Sequence, residues 1–356
     1  MNLIHKKHYF KKEVFIWLVL LLALVFSIII VGGLTRLTDS GLSMVNWQPI
    51  LGTIPPLTKD QWLKIFELYQ KSPEYIYINS DISLNEFKYI FWWEWGHRVI
   101  ARFIGIFFFF PFIYFVFKKY LNRKLIYKLL LALIFGIFQA LVGWWMVKSG
   151  LTDDPYVSAY RLTFHLMNAL IIFSLLLWTC MDYYYLEYNK KIKNFNSYEV
   201  FLLFSLILVL ITVISGGFMA GTHAGQSFNT YPLMSGKVIP DDYFIKELGM
   251  LNFFENTIAI NFNHRWLATF TFLYTFSFFT YSIVSVKQLA SKKLFFLVLF
   301  ILILQFILGV LTLLSNVNIN YASLHQTNSV ILIALLIITY HDYKIKKNLL
   351  NDQKMS

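Results

Sequence analysis

Cysteine is nearly missing from this chain of 356 residues: Cys180 is the only one. No intramolecular disulfide can form, and the position of Cys180 at the end of an apolar run reads as an inert thiol. Charge is scarce as well. Only 14% of residues are Asp, Glu, Lys or Arg, against 58% hydrophobic, which is too apolar for an ordinary soluble domain. Acidic residues are outnumbered, leaving a formal charge of +12. In a soluble protein that surplus would suggest nucleic acid. Here the basic residues sit in short loops between apolar runs, where a membrane accounts for them and nucleic acid is not expected. The start of the sequence does not read as a transit peptide. The segment from Met1 to Glu13 is short and Lys-rich. The apolar segment after it is too long for a signal h-region and lacks a small-residue cleavage site, so it reads as a retained first span.

What the chain does have is apolar runs of membrane length. Crossing the hydrocarbon core takes about 20 helical residues, and the runs predict spans at 14–34, 91–117, 125–147, 157–181, 198–219, 260–286, 293–314 and 321–341. The short loops on the side of both termini hold 19 of the 31 Lys and Arg. The positive-inside rule therefore predicts cytoplasmic termini. Two long loops, 35–90 with Pro55-Pro56 and 220–259, fall on the outer side and read as functional or disordered. Trp92, Trp93, Trp95, Trp144, Trp145 and Trp266 crowd the span ends as interfacial anchors.

The chain also repeats itself. Glu94-Trp-Gly-His97-Arg98 in span two matches Asn261-Phe-Asn-His264-Arg265 in span six. Gln139 to Gly143 in span three matches Gln305 to Gly309 in span seven. His165-Leu-Met-Asn168 matches His325-Gln-Thr-Asn328, and Gly32-Gly33 matches Gly216-Gly217. The expected fold class is an all-α polytopic membrane protein whose eight helices form two pseudo-symmetric four-helix bundles, residues 1–190 and 191–356.

Each half places one histidine on its second span and one on its fourth. Ionisable residues in a membrane are costly and mark function by default. Two imidazoles at matched depth suit an iron whose four equatorial positions a porphyrin fills, better than a closed zinc site needing four protein ligands. Gly96, Ala101 and Gly105 leave room for a flat macrocycle. Arg36, Arg98, Arg102, Arg161 and Arg265 gather near the outer boundary as candidate partners of haem propionates. His223 lies in the second long loop and reads as a surface or propionate-contacting residue. His5, His8 and His341 lie at the cytoplasmic ends, where no specific role is expected.

These residues resemble the haem A synthase family over nearly the whole chain. The resemblance rests on Gly32-Gly-Leu-Thr-Arg36-Leu-Thr-Asp-Ser40-Gly41, Trp47-Gln-Pro49-Ile-Leu-Gly52-Thr-Ile-Pro55-Pro56, Glu94-Trp-Gly-His97-Arg98, Gly217-Phe-Met-Ala-Gly-Thr-His223-Ala-Gly225, Asn263-His264-Arg265 and His325-Gln-Thr-Asn328. It implies an oxidoreductase that converts the C8 methyl of haem o to a formyl group, giving haem a for cytochrome oxidase. It implies a haem b cofactor with His264 and His325 as axial ligands, a substrate haem near His97, His165 and Arg98, and Glu94 as a candidate catalytic residue; pairing with Arg98, its i+4 neighbour, is the other reading of Glu94. Haem O synthase, cytochrome oxidase assembly factors and a second copy of the chain are the candidate partners, and a bacterial inner membrane the expected location. The outer-loop cysteine pair of some members is missing here, as in the alphaproteobacterial and mitochondrial type. Two other readings share features of the sequence: a di-haem b-type electron-transfer cytochrome and a transporter built from duplicated bundles. The transporter leaves the four matched histidines and the arginines unexplained, and the repeat argues against the cytochrome at one position, since Glu94 stands opposite Asn261. A simple electron carrier has no use for a carboxylate beside one haem and an amide beside the other.

Overall fold

The computed structural model describes residues 10–46, 51–152, 155–185, 196–285 and 292–355. Eight helices among them are long and apolar enough to cross a membrane: span 1 (Lys12–Leu37), span 2 (Leu84–Phe117), span 3 (Arg123–Ser149), span 4 (Ala159–Tyr184), span 5 (Ser197–Gly221), span 6 (Thr257–Ser285), span 7 (Lys292–Leu314) and span 8 (Ile319–Lys347). The last continues as one helix to Met355. The chain is an all-α polytopic membrane protein, as its apolar runs predict. His5, His8, Lys190, Lys191, Lys193, Lys287, the Trp47 to Pro49 stretch and the expected division at 190/191 lie outside the described residues.

Several helices overrun their apolar runs because polar caps set their ends. Span 2 starts seven residues before its apolar stretch. There the Ser83 hydroxyl accepts from the Glu86 N–H while the Glu86 carboxylate accepts from the Ser83 N–H, satisfying two orphan donors reciprocally. The added turns carry Phe87, Ile90 and Phe91 into a small second core with Trp62 and Tyr69. Both lie on a short helix, Lys59–Tyr69, capped by Thr58, and a second short helix, Pro73–Tyr77, capped by Ser72, follows it. The first long loop is therefore a folded cap on the end of span 2.

Packing follows the repeat. Span 1 packs on spans 2 and 4, and span 3 on span 4; likewise span 5 packs on spans 6 and 8, and span 7 on span 8. Spans 4 and 5, and spans 1 and 8, join the halves. The second glycine of each repeated pair permits that join. A Cβ on Gly33 would collide with the Gln326 amide of span 8, and one on Gly217 would lie 2.7 Å from Thr163 Oγ1 of span 4. Gln326 uses the closeness to donate to the Ile29 carbonyl of span 1 at 3.0 Å.

Span 2 contains Pro111, which removes a helical donor and frees the carbonyl four residues earlier. That carbonyl, on Phe107, accepts from Trp17 Nε1 at 3.0 Å. In hydrocarbon an unmet carbonyl costs several kcal/mol, so this bond fastens span 2 to span 1.

At the end that holds the termini, polar side chains tie the helices together. His341 is not idle, as its position suggested. It is buried, and its Nε2 lies 2.9 Å from Asp182 Oδ1. Asp182 also pairs with Lys128, so one carboxylate links spans 3, 4 and 8. Apolar walls around a charged group make such pairing obligatory, and no sequence periodicity marks it. Lys347 reaches buried Glu199 at 2.6 Å, closing the foot of span 8 on span 5.

Candidate functional site

The four span histidines meet in pairs. His97 and His165 lie within electrostatic reach of one another, and so do His264 and His325. Every imidazole rests on a glycine of the preceding span. A Cβ on Gly32 would lie 3.2 Å from His97 Nε2, on Gly143 3.0 Å from His165 Cε1, on Gly216 3.3 Å from His264 Cε1, and on Gly309 2.9 Å from His325 Cε1. A side chain at any of the four positions would press on the imidazole and force it to give way. Sequence reading used these glycines as repeat markers and missed this role. A second matched device supports the fourth-span histidines. Asn168 donates to Gln139 Oε1 at 2.6 Å, and Gln139 Nε2 lies 3.2 Å from His165 Nε2. Asn328 donates to Gln305 Oε1 at 2.8 Å, and Gln305 Nε2 lies 3.2 Å from His325 Nδ1.

The halves differ in how firmly they hold the rings. His264 Nδ1 lies 2.7 Å from Ser215 Oγ, and His325 Nδ1 lies 3.2 Å from the Gln305 carbonyl. Ser215 corresponds to Val31 in the N-terminal half, which has no hydroxyl. Among the described residues His165 Nδ1 is buried with no hydrogen-bond partner. A ligating histidine is normally oriented through its other ring nitrogen, and both rings of the C-terminal pair have such a partner. The glycine cradles and the imidazole pairs fit a haem in each half.

Glu94 is 2% exposed and takes three donors: Ser43 Oγ and the Met44 N–H, each at 2.7 Å, and Arg98 at 2.5 Å. Its counterpart Asn261 is also buried, accepts from Arg265 Nε at 2.6 Å and donates to the Ala224 carbonyl at 2.7 Å. The arginine at i+4 is kept, whereas the loop partner is inverted. The chain after span 1 offers donors to a carboxylate, and the chain after span 5 offers an acceptor to an amide. Ser43 and Met44 lie some fifty residues before Glu94 and carry no sequence signal of this task.

The remaining arginines sit at the same end. Arg265 spends further donors on the Thr230 and Phe228 carbonyls, at 2.7 Å each. Arg161 donates to the Trp145 carbonyl at 2.8 Å and lies over the Trp145 ring. Arg102, one turn beyond Arg98, is half-buried. Arg36 donates to Asp39, to the Ala220 carbonyl at 2.8 Å, and to His223 Nε2 at 2.7 Å. His223 is thus a partner of Arg36 that joins the ends of spans 1 and 5. A buried carboxyl in the cap also escaped the sequence reading: Glu74 accepts from the Tyr69 hydroxyl at 3.0 Å, and burial, with a contribution from Glu94, pushes it up to about 8.

The Arg36–His223 contact has a pH signature. Burial and the adjacent Arg36 hold the His223 imidazole below its ordinary value of 6.5. The folded state therefore binds this proton less readily than the unfolded chain. The contact contributes fully above the ordinary value and weakens as pH falls below it. Thermal melting in lipid nanodiscs is expected to decline between about pH 7 and 5 more steeply for the parent than for His223→Gln, which keeps an acceptor but does not titrate there. Equal slopes would remove His223 as the cause.

Comparison with known proteins places the chain in a family. A family model described as cytochrome oxidase assembly protein matches residues 15–337. The chain is 41% identical over 339 residues to Heme A synthase of Nitrosospira multiformis, covering 94% of each chain. It is 42% identical over 321 residues to Heme A synthase of Wolbachia pipientis subsp. Culex pipiens, covering 90% of this chain and 95% of the relative. Heme A synthase of Flavobacterium johnsoniae is 40% identical over 344 residues, covering 93% and 97%. Eight spans, two histidine pairs with matched glycine cradles, and similarity along almost the full length all lead to one conclusion: the chain belongs to the haem A synthase family.

Proposed function

We propose that this protein oxidises the C8 methyl group of haem o to a formyl group, giving haem a for cytochrome oxidase. Residues 1–190 form the bundle that takes the substrate between His97 and His165. Residues 191–356 form the bundle that keeps haem b on His264 and His325. Bound there, haem b supplies one-electron transfer. The observation that carries the reading is Glu94, a buried carboxylate held by Ser43, Met44 and Arg98, standing where the other half has Asn261. Converting a methyl to a formyl group adds one oxygen atom, passes four electrons to an oxidant outside the chain, releases protons and builds positive charge; a positioned carboxylate accepts the protons and stabilises the charge. Arg98, Arg102 and Arg161 supply positive charge for the substrate propionates. Arg36 and Arg265 hold loop carbonyls and shape the mouth that the propionates abut.

The protein sits in a bacterial inner membrane with both termini cytoplasmic. It receives haem o made by a haem O synthase and passes haem a to cytochrome oxidase assembly. A reporter fused after Lys346 is expected to behave as cytoplasmic, and one inserted near Lys71 as external. The reverse pattern would refute the orientation. The function is tested by analysing haem extracted from cells with and without the protein. A gain of formyl-haem is expected. Unchanged haem composition, with haem bound to the protein, would instead favour a di-haem electron-transfer cytochrome.

A further inference from the structure

The two halves match closely in packing except at one place. Spans 6 and 7 pack along each other, whereas their counterparts, spans 2 and 3, barely touch. The sequence of the repeat explains the gap. In the C-terminal half, Phe272 of span 6 and Phe306 of span 7 meet with ring centroids 4.7 Å apart, and buried Leu302 lies one turn before Phe306. Aligned on the histidines and glutamines, Phe272 corresponds to Gly105, Phe306 to Ala140 and Leu302 to Gly136. A Cβ added to Gly105 or Gly136 would meet nothing within 4 Å. Gly105, Gly136 and Ala140 are all exposed, while Phe272 and Phe306 are half-buried. The Trp17 bond to the carbonyl freed by Pro111 fastens span 2 to span 1.

Small residues alone would signify only packing, but two further observations point to a ligand. The gap adjoins the His97–His165 pair: Ala140 lies one turn from Gly143, against which His165 rests. The buried Nδ1 of His165 has no hydrogen-bond partner among the described residues. The opening is also confined to the half that holds Glu94. A haem retained as a cofactor needs a closed wall, and two phenylalanines provide one. A haem that arrives and leaves needs an opening. If it also carries a long isoprenoid chain, that chain must lie in apolar surroundings outside the ring pocket.

Resting on the assignment of the substrate to the N-terminal half, we propose that the cleft between spans 2 and 3, floored by Gly105, Gly136 and Ala140, seats the isoprenoid tail of the substrate haem and opens sideways to the bilayer. Phe272 and Phe306 fill the equivalent space in the other half and keep it for a tail-less haem. The discrimination is steric, since a void built of small residues accepts a chain that a packed aromatic pair excludes.

The test rebuilds the C-terminal wall in the N-terminal half. The Gly105→Phe/Ala140→Phe protein, full length in lipid nanodiscs, is titrated with haem o and separately with haem b, which lacks the tail. The spectrum of the resident haem reports folding. The proposal expects an unchanged resident spectrum and haem o affinity at the second site lower by at least about tenfold, as overfilling a packed space costs. Haem b affinity there should stay within about twofold, a small free-energy change. Where the double variant does not retain its resident haem, Ala140→Leu alone is read by the same criterion. Unchanged haem o affinity, or equal loss for both haems, would overturn the proposal. Failure of the underlying assignment shows separately, as parent protein that takes neither haem at the His97–His165 pair, and the tail site falls with it.

Discussion

Replacing His264 or His325 by alanine is expected to strip the resident haem from the purified protein, with loss of its low-spin absorption bands. His97→Ala should leave those bands largely in place. The expectation follows from the unequal support of the two pairs. Ser215 and the Gln305 carbonyl hold the outer nitrogens of His264 and His325, while His165 Nδ1 has no partner among the described residues. Losing an outer partner of a metal-bound histidine costs roughly 10–100-fold in affinity, and losing the ligand itself should cost more. Optical spectra of protein purified from the same membranes decide the matter. If His97→Ala and His264→Ala abolish the same bands to the same extent, the assignment of the halves is wrong.

The second large effect is expected at Glu94. Glu94→Ala and Glu94→Gln should retain the C-terminal haem and lose most formyl-haem production, by roughly 10²–10⁴-fold, the range contributed by a positioned acid or base. The glutamine variant is the sharper probe. Its amide keeps the volume but presents an NH2 group where Ser43, Met44 and Arg98 all donate, so at least one donor loses its acceptor. Asn261→Ala, in the half where the loop accepts rather than donates, should be much milder. Haem extraction and chromatography give the ratio of haem a to haem o for each variant. Parental ratios in Glu94→Gln would show that ionisation at this position is not required.

The spans were legible because membrane length and apolarity are properties of a continuous run. The pairing of histidines was legible because the repeat preserved the order of four helices. What holds the histidines was not. Gly143 and Gly309 are two glycines among sixteen, and nothing local distinguishes one that cradles an imidazole from one that fills a crossing. Glu94 was legible as a break in the repeat, but two of its partners, Ser43 and Met44, come from a segment that the sequence shows only as loop. The ties of His341 to Asp182 and of Arg36 to His223 join residues far apart along the chain, beyond any periodic signal. The cap around Trp62 and Tyr69 was hidden because its apolar residues lie in short helices with no membrane-length run.

The polar ties at the two ends of the molecule have a mechanical consequence. Asp182, held by Lys128 and His341, pins the fourth span to the eighth at one end, and Arg36, held by Ala220 and His223, pins the first to the fifth at the other. Two repeats that must rock past each other, as alternating access demands, would have to break a charged contact at each extreme of the swing. Bolted top and bottom, the halves instead form a stiff chassis; on the proposed assignment it keeps the two ring sites at a constant separation, the condition for a constant rate of electron transfer between them.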